Sequence, residues 1–262
     1  MAAHYDFLII GSGIVGAATA YSISQRYPGK TIAVVEKESA PACHQSSHNS
    51  GVIHAGIYYV PGSFKAKLCR AGLKATYEFA QAHGIATKQT GKLLVATTPE
   101  EVERLRALFL RAHENGAAVR EVSRAELAEI EPNVNGLNAM LVRDTGIVDY
   151  AEVAVKLLSE SGADCFFDTR ADEITESSDE VVVSSAQTTL HTKQLIACAG
   201  LQADRLARIA DVPSDVSILP FRGDFYILHE RFNTMFKHLI YPVPDPQLPF
   251  LGIHLTEHID GS

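Results

Sequence analysis

Hydrophobic and polar positions change their period several times along the chain, and each change predicts an element. Phe7 to Ile10 is a continuous apolar run of strand length. A helical stretch follows to about Arg26, Pro28-Gly29 makes a turn, and Thr31 to Val35 is a second apolar strand ending in Glu36. From Cys43 to Gly62 regular alternation gives way to small and polar residues, with His44, His48, His54, Tyr58 and Tyr59 among them. A polar loop of this length inside a compact α/β domain is usually functional.

Ser63 then precedes a helix to about His83, stopped by Gly84, with Leu68, Leu73, Tyr77 and Phe79 on its expected apolar side. Gly91 to Thr98 is a strand. Pro99 opens a helix that turns Leu105, Leu108 and Ala112 inward, with Glu100 and Glu101 at its positive end. Ala117 to Val122 is a short strand, and Ser123 with Glu126 forms a capping box for the short helix before Pro132. Ala139 to Val142 is a further strand. Asp149 with Glu152 starts a helix to Ser161 that points Val153, Leu157 and Leu158 inward. Strands and an acidic turn at Ser177 to Glu180 fill the stretch to Thr189. Thr192 to Ala197 is a buried strand, and a helix follows from Asp204 to Ile209. Val216 to Phe221 and Phe225 to His229 have the composition of strands.

The first of these segments carries chemistry. Gly11, Gly13 and Gly16 stand in G-x-G-x-x-G order directly after the first strand and at the start of the helix. Gly11 permits the tight turn, Gly13 lets a pyrophosphate approach the backbone, and Gly16 with Ala20 lets the helix lie close to the sheet. The helix N-terminus offers free N–H groups and partial positive charge to phosphates. Glu36 follows at the end of the second strand, where a carboxylate accepts hydrogen bonds from an adenosine ribose and repels a 2′-phosphate, which disfavours NADP. The motif alone also fits an ordinary glycine-rich turn; strand, helix, second strand and terminal acid together define half of a dinucleotide-binding unit.

The 262 residues allow one large domain or two smaller ones, and 46% hydrophobic content is enough for a sizeable core. A net charge of −8 argues against a nucleic-acid partner. Cys43, Cys69, Cys165 and Cys198 are far apart, without a C-x-x-C, and read as reduced thiols of a cytosolic protein. No apolar run approaches the ~20 residues of a spanning helix, and Met1 to Tyr5 is too short for a leader. The expected location is therefore cytoplasmic, with peripheral attachment to the inner membrane left open. The three histidines of the long loop have neither a helical frame nor a nearby acidic ligand, so no metal is expected.

Several motifs together carry a family resemblance. The loop H-N-S-G-V-I-H-A-G-I-Y-Y, the strand G-K-L-L-V-A-T, the segments D-T-G-I-V-D-Y and P-F-R-G-D-F-Y, and the closing Y-P-V-P-D-P-Q-L-P-F-L-G-I-H-L-T resemble the L-2-hydroxyglutarate dehydrogenase/oxidase family. That family lies among the FAD-dependent oxidoreductases that include D-amino-acid oxidase and glycerol-3-phosphate dehydrogenase. The resemblance covers essentially the whole chain. It implies a Rossmann-like α/β domain with a parallel sheet, α+β overall once a discontinuous mixed-sheet substrate domain is added. The FAD part would use residues 1–85 and 146–206, and the substrate part 86–145 and 207–262. A full-length relative continues beyond H-I-D-G-S, so the chain is expected to be C-terminally truncated.

The resemblance also implies oxidation of L-2-hydroxyglutarate to 2-oxoglutarate with FAD, the electrons passing to a quinone or dioxygen. Gly11, Ser12, Gly13, Gly16, Glu36 and Lys37 would hold the ADP part. Ser46, Ser47, Asn49, Ser50 and Gly51 would run beside the ribityl chain and ring, and Ala199-Gly200 would be the second strand end at the cofactor. A histidine suits the role of proton acceptor. His54 is the first choice and His254 the second, and the residue types alone do not separate them. Arg222 is expected to pair with a substrate carboxylate through its planar fork, and Tyr241, Tyr58 or Tyr59 to donate a hydroxyl. The competing expectations are a sister flavoenzyme acting on glycerol 3-phosphate or an amino acid, and a catalytically silent fragment.

Overall fold

The structure is a computed structural model, and it describes residues 3–247 and 252–262. Four residues of the closing proline-rich motif, 248–251, therefore lie outside the described residues.

In chain order the elements are β1 (Ala3–Ile10), α1 (Ile14–Arg26), β2 (Ile32–Val35), β3 (Val52–Ile53), α2 (Phe64–His83), β4 (Thr87–Lys88), β5 (Lys92–Ala96) and α3 (Pro99–Glu114). They continue with β6 (Val119–Ser123), α4 (Arg124–Ile130), β7 (Asn138–Val142), β8 (Gly146–Val148), α5 (Tyr150–Ser161) and β9 (Asp164–Phe166). The last are β10 (Glu173–Glu176), β11 (Val181–Ser184), β12 (Thr189–Ala197), α6 (Ala203–Ile209) and β13 (Leu239–Pro242).

Two compact units share these elements: Met1–Asn49 with Tyr150–Asp224, and Ser50–Asp149 with Phe225–Ser262. The chain is discontinuous in both, as the resemblance implies, but the boundaries fall elsewhere. The stretch 50–85 belongs to the second unit rather than to the nucleotide-binding part, for a physical reason. β3 pairs with β8, and α2 is tied down by Arg70, whose Nη1 donates to Asp144 Oδ2 at 2.6 Å, and by Tyr77, whose hydroxyl donates to the Asp144 carbonyl at 3.3 Å. These bonds anchor the loop and its helix within the second unit.

The first unit is built on a six-stranded sheet in the order β10-β11-β12-β1-β2-β9. β12, β1, β2 and β9 run parallel, and β11 and β10 extend the edge antiparallel. Buried on both faces, β2 and the Leu8–Ile10 end of β1 read as unbroken apolar runs rather than alternations. α1 packs against α5, and Ala17 and Ala20 of α1 are wholly buried.

The second unit holds a four-stranded sheet, β13-β5-β7-β6, and a three-stranded one, β3-β8-β4. β5 lies between β13 and β7, so both of its edges are paired. Its side chains alternate between two cores: Leu94 and Ala96 face one with Met140, Tyr241, Leu105 and Leu108, while Leu93 and Val95 face the other with Val122 and Leu127. α3 begins with a complete capping box, Thr98 and Glu101 bonding each other's backbone N–H. The buried Glu131 carboxylate after α4 accepts hydrogen bonds from the backbone N–H groups of Lys237 and His238 and from the His238 ring at 2.7–2.8 Å.

Two other expectations are corrected. Leu68 of α2 is exposed, and the buried positions of that helix are Ala66 and Ala80. The stretches Val216–Phe221 and Phe225–His229 form no strand. A strand requires a partner for its backbone groups, whereas here Val216 N–H bonds the nearby Ser214 hydroxyl and Ile218 N–H bonds the Asp204 carboxylate. Val216, Leu219, Tyr226 and Ile227 stand exposed.

Candidate cofactor cavity and a buried lysine cluster

In the first unit the parallel strands end on one side in three turns: Gly11 after β1, Glu36 after β2 and Cys198–Gly200 after β12. They border a cavity of about 820 Å³. The carboxyl ends of parallel strands are where open α/β sheets bind ligands.

The glycines there are required by contact. Gly11 has φ +102°, and a Cβ on it would lie 2.4 Å from the Cys198 carbonyl oxygen. A Cβ on Gly16 would lie 1.8 Å from the Gly11 carbonyl oxygen, so only glycine lets α1 sit against its own entry turn. Gly13 differs: the nearest atom to its missing Cβ is the Ser46 hydroxyl at 3.3 Å, and the backbone is otherwise open. The Ser46 hydroxyl also accepts a hydrogen bond from Ile14 N–H at 2.8 Å, which caps the first turn of α1 from the following loop.

Glu36 is buried. Its Oε2 accepts from Ser12 N–H at 2.8 Å and from the Ser12 hydroxyl at 2.9 Å, and its Oε1 accepts from Glu38 N–H at 3.1 Å. A carboxylate has about four lone-pair sites, and Glu36 still lines the cavity. At the rim, Lys37, Glu38 and His44 form a small charged group, His44 Nε2 lying 2.9 Å from the Glu38 carboxylate. The flanking Lys37 and His44 hold the Glu38 carboxyl below its ordinary range.

Of the cofactor residues expected from sequence, Gly11, Gly13, Glu36, Lys37, Ser46, Ala199 and Gly200 line the cavity. Ser12 and Gly16 stand behind it as supports. Ser47 and Asn49 bond carbonyls of their own loop, those of His44, Gln45 and Ser46. Ser50 and Gly51 fall in the second unit, where Gly51 O accepts from Val148 N–H. The sequence reading missed Thr169 to Asp172 and Arg205, which also line the cavity. Thr169 arrives there because β9 is the fourth parallel strand, its N–H bonding the Glu36 carbonyl, a neighbour that no local spacing reveals.

The second unit brings another set of side chains together. Lys92, at the start of β5, is 1% exposed. Its Nζ donates to the Tyr58 hydroxyl at 3.3 Å and stands 4.8 Å from the ring centroids of both Tyr58 and Tyr241. The Tyr241 ring lies 4.4 Å from the His254 ring, and its hydroxyl reaches Thr256 Oγ1 at 3.5 Å. His254 Nδ1 is 3.0 Å from the Gly252 carbonyl, which fixes the proton on Nδ1 and leaves Nε2 as an acceptor. Asn115, at the end of α3, holds the loop that carries Tyr58 by donating to the Gly56 and Tyr59 carbonyls. Cys69 donates its thiol to the His54 carbonyl.

The protonation of this cluster follows from its surroundings. Burial, opposed only slightly by Cys69, lowers Lys92 to about 8. Protein packed around His54 lowers its imidazole to about 4, with electrostatic coupling to Lys92 and His254 adding, although the residue is exposed to solvent and screening there weakens the shift. Burial raises Tyr58 and Tyr241 above their ordinary value. At neutral pH the set is therefore a neutral His54, two neutral tyrosines and a lysine that is mostly an ammonium.

His54, His254 and Tyr241 are thus brought together, and Lys92 is the member that sequence reading overlooked. The available signal was a lysine on the same strand face as Leu94 and Ala96. Arg222 is placed in the first unit, 88% exposed, with its Nε donating to Asp224 Oδ1 at 2.7 Å.

The strand–glycine turn–helix, the acid behind it and the cavity before it make the first unit a dinucleotide-binding α/β fold. The chain belongs to the FAD dependent oxidoreductase (DAO) family, which it matches over residues 6–262. It is similar to the L-2-hydroxyglutarate dehydrogenase of Salmonella houtenae, with 47% identity over 98% of this chain and 62% of that protein. It is also similar to the human mitochondrial L-2-hydroxyglutarate dehydrogenase, with 39% identity over 98% of this chain and 59% of that one. The chain thus spans about 62% of the length of the first of these relatives. The L-α-glycerophosphate oxidase of Mycoplasma pneumoniae, solved with FAD bound, shares the fold with a TM-score of 0.82. The identity is 24%, covering 98% of this chain and 69% of that one. Glycine oxidase from Geobacillus kaustophilus follows with a TM-score of 0.76 and 20% identity, covering 92% and 66%.

The residues present fit the family's cofactor. The cavity is within the usual range of about 300–1,000 Å³ for such ligands, the open backbone at Gly13 admits a pyrophosphate, and Glu36 is an acceptor at the ribose position. No helix among the described residues is long and apolar enough to cross a membrane.

Proposed function

We propose that the chain carries the FAD-binding and substrate-oxidising machinery of an L-2-hydroxyglutarate dehydrogenase. The observation that carries this reading is 47% identity over nearly the whole chain to an enzyme of that name, joined to a neutral histidine beside a buried cation. FAD, when bound, supplies acceptance of the two electrons and hydrogen that leave C2 of the hydroxy acid.

The chain's own residues do the rest. Gly11 and Gly13 hold the backbone open to the pyrophosphate, the N-terminus of α1 and Ser46 offer hydrogen bonds to it, and Glu36 receives the ribose hydroxyls. His54 takes the hydroxyl proton as the bond to C2 is oxidised. An imidazole titrating at about 4 is unprotonated at neutral pH, the form that can accept. His254, with Nε2 free to accept, is the second candidate for that proton. Tyr241 positions His254 by ring contact. The electrons pass on to a quinone or dioxygen, and the protein works in the cytoplasm or at the inner surface of a membrane.

The test is anaerobic addition of L-2-hydroxyglutarate to the purified, FAD-loaded chain. Bleaching of the flavin absorbance is expected. Persistence of the bands with this substrate, and bleaching with glycerol 3-phosphate instead, would replace the reading with that of a sister enzyme.

A further inference from the structure

Lys92 is a cation in a place that ordinarily takes an apolar residue. It lies on an interior strand, on the same face as Leu94, in register with Leu239 of β13 and beside the buried Tyr241. An ammonium has three N–H donors. One is used, by the Tyr58 hydroxyl; the faces of Tyr58 and Tyr241 provide the remaining stabilisation, and no carboxylate pairs with it among the described residues. A buried ion with no counter-ion is costly to keep. A leucine or methionine at this position would pack without that cost, so packing does not explain a lysine here. The groups near it are His54, Tyr58, Cys69 and Tyr241, with His254 behind Tyr241, none of them anionic at neutral pH. The negative partner is therefore expected from outside the chain.

We propose that Lys92 is the cation that receives a carboxylate of the substrate, in an anion site completed by the Tyr58 hydroxyl and bordered by His54 and His254. This rests on the hydroxy-acid reading above and deepens it. The ligand class is a small carboxylate carrying a hydroxyl or oxo group on the adjacent carbon. Lys92 lies within electrostatic reach of His54, and a 2-hydroxy acid has its carboxylate one bond from the carbon whose hydroxyl must lose a proton. The site gives Lys92 a role that the exposed, Asp224-paired Arg222 was expected to fill.

The test is isothermal titration of the FAD-loaded chain with 2-oxoglutarate, which the enzyme cannot oxidise further. The proteins are wild type, Lys92→Met and Lys92→Arg. Methionine keeps the unbranched stem and removes the charge. Lys92→Met is expected to bind roughly 10- to 100-fold more weakly, the loss of one charge-assisted hydrogen bond, with its flavin retained and its melting transition no lower than that of wild type. Lys92→Arg should recover part of the affinity. Binding by Lys92→Met within about threefold of wild type overturns the assignment while leaving the hydroxy-acid reading in place. A wild type that binds sn-glycerol 3-phosphate and not 2-oxoglutarate overturns that reading, and the carboxylate assignment with it.

A second measurement needs no variant. Wild-type affinity for 2-oxoglutarate should fall as pH rises from about 7 to about 9.5, since the ammonium is lost there while His54 is already neutral and both tyrosines remain protonated. Constant affinity across that range removes Lys92 from the site.

Discussion

The cavity of the first unit and the lysine cluster of the second are built by opposite means. The cavity is made of backbone. Its essential positions are glycines, about half of its lining comes from residues 10–46, and its requirements are absences of side chain, stated by contacts of 1.8 and 2.4 Å that a Cβ would make. The cluster is made of side chains gathered from positions 54, 58, 92, 241 and 254, and its requirements are charge and protonation. A backbone site is fixed by local spacing and is sensitive to added atoms. A side-chain site is fixed by tertiary packing and is sensitive to altered charge.

That contrast ranks the expected responses to mutation. Gly16→Val should have the largest effect, about 4 kcal/mol or more of destabilisation, because its Cβ meets a backbone oxygen that cannot move without opening the turn. Urea unfolding reads it. Gly13→Val is the companion: its Cβ meets only a hydroxyl at 3.3 Å, so the fold should survive and flavin retention should be lost. Flavin retention by Gly13→Val equal to that of wild type would break the backbone account of the cavity.

Lys92→Met comes next and has the opposite sign. In the folded chain Lys92 titrates near 8 against 10.5 for a free lysine. The unfolded chain therefore holds more protons between those values, and native stability rises as pH climbs through that window. Below it the buried charge costs on the order of 3 kcal/mol. Lys92→Met should be more stable than wild type at neutral pH, and the gap should close as pH approaches that of free lysine. Urea midpoints at the two ends of the window check this. A variant less stable than wild type at neutral pH would mean that the charge is structural. His54 adds a trend of the same sign at acid pH, weakened by solvent screening of this exposed residue: lowered from 6.5 to about 4, it makes stability fall as pH drops from the higher value to the lower.

Ser46→Ala should cost about 1 kcal/mol, the usual value of a lost helix cap, and weaken flavin retention through the same N–H of Ile14. Arg222→Ala should change stability least, by under about 0.5 kcal/mol, since its ion pair is exposed. A large rise in the apparent KM for L-2-hydroxyglutarate in Arg222→Ala, with none in Lys92→Met, would return the carboxylate to the arginine.

The same contrast explains what the sequence disclosed. β1, α1, β2 and the glycine turn were legible because each is specified within a few residues by period, by missing Cβ atoms and by a terminal acid. The helix starting at Pro99 was legible from that proline and the acids Glu100 and Glu101 after it, and its inward Leu105, Leu108 and Ala112 from their spacing. Lys92 was not: at the first position of a strand a lysine reads as a solvated end, and the rings that cover it, Tyr58 and Tyr241, come from positions far away in sequence. The unit boundary near residue 50 was missed for a related reason. The bonds of Arg70 and Tyr77 to Asp144 span 74 and 67 residues, and no window of sequence contains both ends. The strand-like composition around Val216 to Ile227 misled because composition specifies a side-chain pattern and not a partner.

The register of β1 bears on how such a chain leaves the ribosome. One of the two neighbours of β1 is β12, paired from Ala3 with Leu190 to Ile10 with Ala197, so the two are made far apart in time. Until β12 is made, nearly two hundred residues later, this strand therefore has one edge whose backbone N–H and C=O groups lack their partners. An unpaired edge of that kind recruits wrong partners. The nucleotide-binding half of the molecule is in this sense begun long before it is completed, and during the interval its protection has to come from outside its own sheet.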